Sequence, residues 1–201
     1  MQLFTIFEPY LIPDKAYPPL SEGNLVRLSF RMECTRLETT REQQERFMHL
    51  DDAEYRFSGR VALLYNKPHP FMIIEARGFR FYTLAPRALR LKRGSWTDGT
   101  GTLLLDYGDW YFHGLGRPSL LFNFRVASIC KVRIPERHIT RGEGAIHCPP
   151  FVRPGEYEHH DRHPVDTMVG QPLDELFYIM ELDDTGLAGA EIPVTFGRSK
   201  T

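Results

Sequence analysis

The sequence has 201 residues and a formal net charge of −1, with 42% hydrophobic and 25% charged residues. That balance excludes a disordered chain, a collagen-like repeat and a disulfide-dense mini-protein, and the chain is long enough to bury about two-thirds of its unfolded surface without a staple. The basic residues are lopsided, 20 Arg against 5 Lys, so where the arginines fall becomes the first functional question.

The dominant hydrophobic period is two, the period of strands. From Leu25 to Met32, Val26, Leu28, Phe30 and Met32 share one face and Arg27, Ser29 and Arg31 the other. A helix is predicted over about residues 40 to 50, because Thr39 and Glu42 have capping-box spacing and Gln43, Gln44, Glu45 and Arg46 favour helix. Arg60 to Tyr65 alternates again, with Val61, Leu63 and Tyr65 on one side. Phe71 to Ala76 and Phe79 to Leu84 flank Arg77-Gly78 and read as a tight hairpin. Gly94 to Gly101 reads as a glycine-rich connection between strands. Thr102 to Tyr107 and Trp110 to His113 flank Gly108-Asp109 as a second hairpin. Ser119 to Ala127 puts Phe122, Phe124 and Val126 inward, and Ile129 to Ile134 continues the pattern after a bulge expected near Ser128.

The character of the chain changes near residue 135. Residues 136 to 172 are rich in Pro, Gly, His and acids and lack periodicity, which predicts an irregular segment. Residues 173 to 201 return to the core as a strand or a helix, with Pro172 to Leu182 open to both, followed by a tail. Together these elements predict a single, mainly β domain over 1–201, with its β core in 1–135. The expected fold is an antiparallel barrel or sandwich of about eight to ten strands, with one short helix and a long irregular C-terminal segment.

No run of 18 apolar residues is present, and the start, Met1-Gln-Leu-Phe-Thr-Ile-Phe-Glu-Pro, lacks the basic region of a signal peptide. Cys34, Cys130 and Cys148 are odd in number and far apart, which argues against a disulfide framework. A cytoplasmic, reducing location is expected, with no membrane partner.

Three constellations carry chemistry. The first is a cluster of ligand types, His147, Cys148, Glu156, Glu158, His159, His160, Asp161 and His163. His147, Glu158, His159 and His163 would be the metal ligands of a metal-dependent enzyme, but a solvated loop has the same composition. No cofactor is expected, because GxSxG, P-loop, GxGxxG and HExxH signatures are all missing. The second is the acid-free stretch Arg77 to Trp96, with Arg77, Arg80, Arg87, Arg90, Lys92 and Arg93 interleaved with Phe79, Phe81, Tyr82 and Trp96. Arginine forks suit phosphates and aromatic rings stack on bases. Arg77-Gly-Phe-Arg-Phe partly matches an RNA-recognition strand motif, with Arg80 where a small residue belongs. The alternative is that Phe79 and Phe81 are core and the arginines are the wet face of an edge hairpin. The third is the polar side of the strands, where Arg27, Arg31, Arg56, Arg60, Arg125, Lys131 and Arg133 would form a positive face if their strands are neighbours. Residues 155 to 184 carry nine acids and one Arg, so those charges could instead pair within the molecule.

The sequence therefore points to a non-enzymatic binding protein that contacts nucleic acid or an acidic protein surface. Its polyanion-binding set is Arg27, Arg31, Arg77, Phe79, Arg80, Phe81, Arg87, Arg90, Lys92, Arg93, Trp96, Arg125 and Arg133. An inhibitor, immunity or assembly protein working through protein–protein contacts is the alternative, and a metal-dependent enzyme the third reading.

Overall fold

A computed structural model describes residues 2–8, 11–12, 17–65, 70–86, 88–106, 120–133, 141–142, 145–146, 162–168 and 176–185. The fold is mainly β, as the period of two predicts, and the described residues contain no α-helix. Twelve strands are described: β1 Gln2–Phe7, β2 Leu25–Thr39, β3 Arg46–Asp51, β4 Glu54–Tyr65, β5 Phe71–Ala76, β6 Phe79–Leu84, β7 Trp96–Asp106, β8 Phe122–Arg133, β9 Arg141–Gly142, β10 Ala145–Ile146, β11 Arg162–Pro164 and β12 Leu176–Asp184. Ten belong to the principal sheet, and β9 with β10 forms a two-residue ladder of its own. The chain divides into two compact units, residues 28–122 and residues 1–27 with 123–201. Neither boundary coincides with the change in composition near residue 135.

The 28–122 unit closes on itself. Antiparallel ladders join β2 to β7, β7 to β4, β4 to β5 and β5 to β6, and a parallel bridge between Arg31 and Tyr82 joins β6 back to β2. The result is a five-stranded ring with β3 added along β4. Its interior is aromatic: Phe30, Phe57, Phe79 and Phe81 are all at 0% exposure. Phe79 lies 5.3 Å from Phe30, 4.9 Å from Phe47 and 5.1 Å from Phe122, centroid to centroid, within the range of favourable ring pairs. A smaller cluster of Phe71, Ile73, Tyr82 and Leu120 covers the outer face of β5 and β6 at the end away from their turn.

Two expectations are corrected in this unit. Residues 46–51 form strand β3, and 40–45 carry no helix. The Thr40 hydroxyl accepts a local bond from the Glu42 amide, which is turn chemistry rather than a helix cap. Helix propensity lost to packing, because pairing with β4 stacks Phe47 on Tyr55 at 4.7 Å. Residues 96–101 are likewise strand rather than connection. Gly99 lies opposite Phe57, and a Cβ there would sit 2.7 Å from the Phe57 Cζ and 2.7 Å from the Arg36 carbonyl oxygen. Glycine is the residue that lets a ring and a neighbouring backbone close over the strand.

The Arg77-Gly78 hairpin is present as expected. Arg77 and Gly78 have φ of 52° and 77°, the paired positive values of a type I′ turn. The hairpin expected over 102–113 extends past the described residues, of which β7 supplies 102–106.

In the other unit the order is β11-β8-β12-β1, all antiparallel. Of the segment 172–182, open to helix or strand in the sequence, the described part, 176–182, is strand β12, with Tyr178, Ile179 and Met180 buried. The expected bulge is present: Ser128 faces Glu181 and Val126 faces Leu182, which leaves Ala127 as the extra residue. Within the segment expected to be irregular, residues 162–168 are tied down. β11 pairs with β8, the Val165 amide donates to the Ile129 carbonyl, and the Met168 amide donates to the Leu20 carbonyl. Buried backbone groups need partners, and a short third strand on β8 supplies them where the sequence has no periodicity.

Candidate anion-binding face

β4 alternates Tyr55, Phe57, Gly59 and Val61 inward with Glu54, Arg56 and Arg60 outward; Ser58 shares the outward register but is buried. Its ladders carry the outward residues into cross-strand rungs. One rung reads Arg80 (β6), Glu75 (β5), Arg60 (β4), Trp96 (β7). The next reads Arg46, Ser58, Asp98, Glu38, and the third Met48, Arg56, Thr100, Arg36. The fourth reads Asp51, Glu54, Thr102, Glu33.

The arginines of this face are interleaved with acids. The Arg80 Nε and Nη2 both donate to the Glu75 Oε1 at 3.2 Å, and the Arg60 Nη2 stands 4.0 Å from the other Glu75 oxygen. The Arg56 Nη2 is 3.8 Å from Asp98 and the Arg36 Nη2 2.8 Å from Glu38. Arg36–Glu38 is exposed on both sides and the other pairs have one or both partners half-buried; a solvent-exposed pair is worth at most about 1 kcal/mol, so that one balances charge more than it adds stability. The fourth rung has three acids and no base. Glu54 and Arg60 are six residues apart on β4, so that acidic rung lies about 20 Å from the Arg60–Trp96 rung.

At the Trp96 end the balance reverses. The connection from β6 to β7 holds Arg90, Lys92 and Arg93, all exposed, and no acid. Its course is fixed by backbone bonds. The Gly94 amide donates to the Val61 carbonyl and the Val61 amide to the Ser95 carbonyl, both at 2.8 Å. A Lys92–Ser95 turn is closed by the Ser95 amide on the Lys92 carbonyl and by the Lys92 amide on the Ser95 hydroxyl. These bonds continue the β4–β7 ladder past Arg60 and Trp96, which places the basic turn beside that rung.

The sequence-predicted set is thus partly gathered and partly dispersed. Arg80, Lys92, Arg93 and Trp96 are brought to one end of the barrel's outer face, with Arg90 on the same connection. Arg60 completes the rung; the sequence marked it only as one of several polar-face arginines. Phe79 and Phe81 do not join them: both are inside the barrel and fully buried, which is the core alternative. Arg77 is exposed in the hairpin turn, where its amide donates to the Glu45 carboxylate. Arg87 lies outside the described residues. Arg31 is half-buried between Leu104 and Tyr82, and Arg27 is half-buried near the start of β2. In the other unit, exposed Arg125 stands opposite exposed Asp183. Arg133 is opposite Leu176 and Lys131 opposite Tyr178.

Of the metal-ligand candidates, His163 is exposed on β11 opposite Lys131, and His147, Glu158 and His159 lie outside the described residues. Burial pushes the Cys34 thiol up to about 11, opposed in part by the Thr83 hydroxyl 3.4 Å away. At neutral pH it is a protonated thiol within β2, not an activated nucleophile. No helix among the described residues is long and apolar enough to cross a membrane. No family model, curated protein or solved structure matches the chain.

Proposed function

We propose that the chain is a binding module for an anionic polymer, which it holds at the Trp96 end of the outer face of the 28–122 barrel. The observation that carries this reading is the charge gradient along that face. Arg90, Lys92 and Arg93 are exposed beside the Arg80–Glu75–Arg60–Trp96 rung, and the acids Glu33, Asp51 and Glu54 share the rung at the other end. A polymer of phosphates would be attracted at the first end and repelled at the second, which fixes where it lies. The backbone bonds that hold the Lys92–Ser95 turn reduce the ordering needed on binding. Arg27, Arg31, Arg125 and Arg133 are not needed in this reading.

Fluorescence anisotropy with a labelled oligonucleotide tests it. Reversing the turn with Arg90→Glu, Lys92→Glu and Arg93→Glu is expected to weaken binding at low salt by roughly 100-fold or more. Equal affinity for the wild type and the triple variant, or no binding by the wild type, would overturn the proposal.

A second reading has its own observation. β3 is last in the strand order of the sheet and exposes Met48 at 45% and Leu50 at 49%. Exposed edge strands with apolar side chains are where another protein chain can add. A stoichiometric protein partner that co-purifies without nucleic acid would favour this protein–protein reading.

A further inference from the structure

We infer that the polymer is single-stranded nucleic acid and that Trp96 is the platform on which one of its bases stacks. This rests on the reading above and adds a base-recognition step to it. Phe79 and Phe81 are sealed in the barrel and Tyr82 is buried in the cluster with Phe71, Ile73 and Leu120, so of the aromatic residues in the basic stretch Trp96 is the one beside the basic turn. It is half-buried, so part of the indole is held by the barrel and part is open. Its rung partner is Arg60, whose side chain is 57% exposed. Directly opposed side chains of an antiparallel pair have Cβ atoms about 5 Å apart, so a half-buried ring and a largely exposed guanidinium lie side by side.

That pair matches the two repeating features of an unpaired strand. The indole offers a π face to a base, and Arg60 with the Lys92–Arg93 turn offers donors to the flanking phosphates. A duplex hides its base faces in the stack, and a sulfated polysaccharide has none. An aromatic anchor for a protein partner is normally ringed by apolar groups that exclude water. The residues beside Trp96 on this face are Arg60 across the ladder and Asp98 two positions along β7, which suit the polar edge of a base better. The acidic rung about 20 Å away along β4 limits the tract to a few nucleotides.

The test compares four labelled or competing probes on the full chain at about 50 mM salt. They are an oligothymidylate of about 12 nucleotides, an abasic deoxyribose-phosphate strand of the same length, low-mass heparin and polyglutamate. The expected result is that oligothymidylate binds at least about 10-fold more tightly than the abasic strand. Trp96→Ala should then lose about 10- to 100-fold for oligothymidylate and less than about two-fold for heparin. Trp96→Phe, which keeps a ring, should retain most of the affinity and controls for folding.

If oligothymidylate and the abasic strand bind alike and Trp96→Ala changes neither, the stacking inference is overturned while the anionic-polymer reading stands. If polyglutamate binds as tightly as oligothymidylate, an acidic protein is the better partner and the inference is again overturned. If none of the probes binds, both readings fall together.

Discussion

Gly101→Val is expected to cost about 3 kcal/mol or more, a large part of the roughly 5–15 kcal/mol that holds a domain together. Gly101 sits inside β7 opposite Cys34, and a Cβ there would lie 2.9 Å from the Cys34 Cα and closer still to the Glu33 carbonyl oxygen. Both obstacles are backbone, so no rotamer change relieves them. The ladder between β2 and β7 would have to part, and with it the ring. Gly23 provides the contrast. It has φ of 83° and nothing within 4 Å of a Cβ, and Gly23→Asn, a residue that tolerates this conformation, should cost less than about 1 kcal/mol. Chemical denaturation of the two variants makes the comparison. A Gly101→Val protein with the wild-type midpoint would mean that β2 and β7 do not pack at the described spacing.

Phe79→Ala is the second large effect, expected at about 3–5 kcal/mol. The ring is at 0% exposure and neighbours Phe30, Phe47, Phe81 and Phe122. Removing it leaves a cavity among aromatic rings that cannot readily collapse into the gap. This variant separates the two meanings of the Arg77 to Trp96 stretch. If Phe79 were a stacking residue, alanine would reduce polymer binding and leave the denaturation midpoint in place. A folded Phe79→Ala protein of unchanged stability would therefore refute its place in the core. Trp96→Ala should show the reverse pattern, a small loss of stability and a large loss of binding.

These two residues show where sequence reasoning reached and where it stopped. Alternation identified β2 and β8, because each has a buried face that must be apolar at every second residue; β5 and β6 were legible from the turn they flank, and in β4 the expected shared side of Val61, Leu63 and Tyr65 is broken by a register shift after Val61. The Arg77-Gly78 turn was legible because few dipeptides accept two positive φ values in succession. The bulge, expected near Ser128 and found at Ala127, was legible because Ala127 and Ser128 interrupt the run of large apolar residues between Val126 and Ile129.

β3 was not legible. Its own residues favour helix, and the deciding interactions, Phe47 on Tyr55 and the ladder to β4, come from residues later in the chain. The N-terminal half of β7 was hidden for a related reason. Two glycines in three residues look like a connection until Phe57 is known to lie over Gly99.

The candidate site was legible in composition but not in register. That Arg80, Lys92, Arg93 and Trp96 are concentrated in one acid-free stretch can be read directly from the chain. That Glu75 stands between Arg60 and Arg80, and that Asp98 neighbours Arg56, depends on strand pairing. Pairing converts an apparently uniform arginine face into rungs of alternating sign. The excess of positive charge survives only at the end where the basic turn adds to it. The skew toward arginine is therefore partly structural, since its long planar fork reaches a carboxylate on the next strand or the next rung while the stem covers apolar surface.

On the proposed reading, binding charge is concentrated at the turn beside Trp96 rather than spread over the arginine-rich face. The salt dependence of oligothymidylate affinity tests it most directly. Each phosphate contact on a single strand contributes a slope of about 0.7 in log K against log salt. Replacing Arg90, Lys92 and Arg93 by Ser should lower the slope by about 2, and replacing Arg36 and Arg56 by Ser should leave it within about 0.5 of the wild type. Equal reductions in the two variants, or a larger one from Arg36 and Arg56, would show that the charge acts across the whole face.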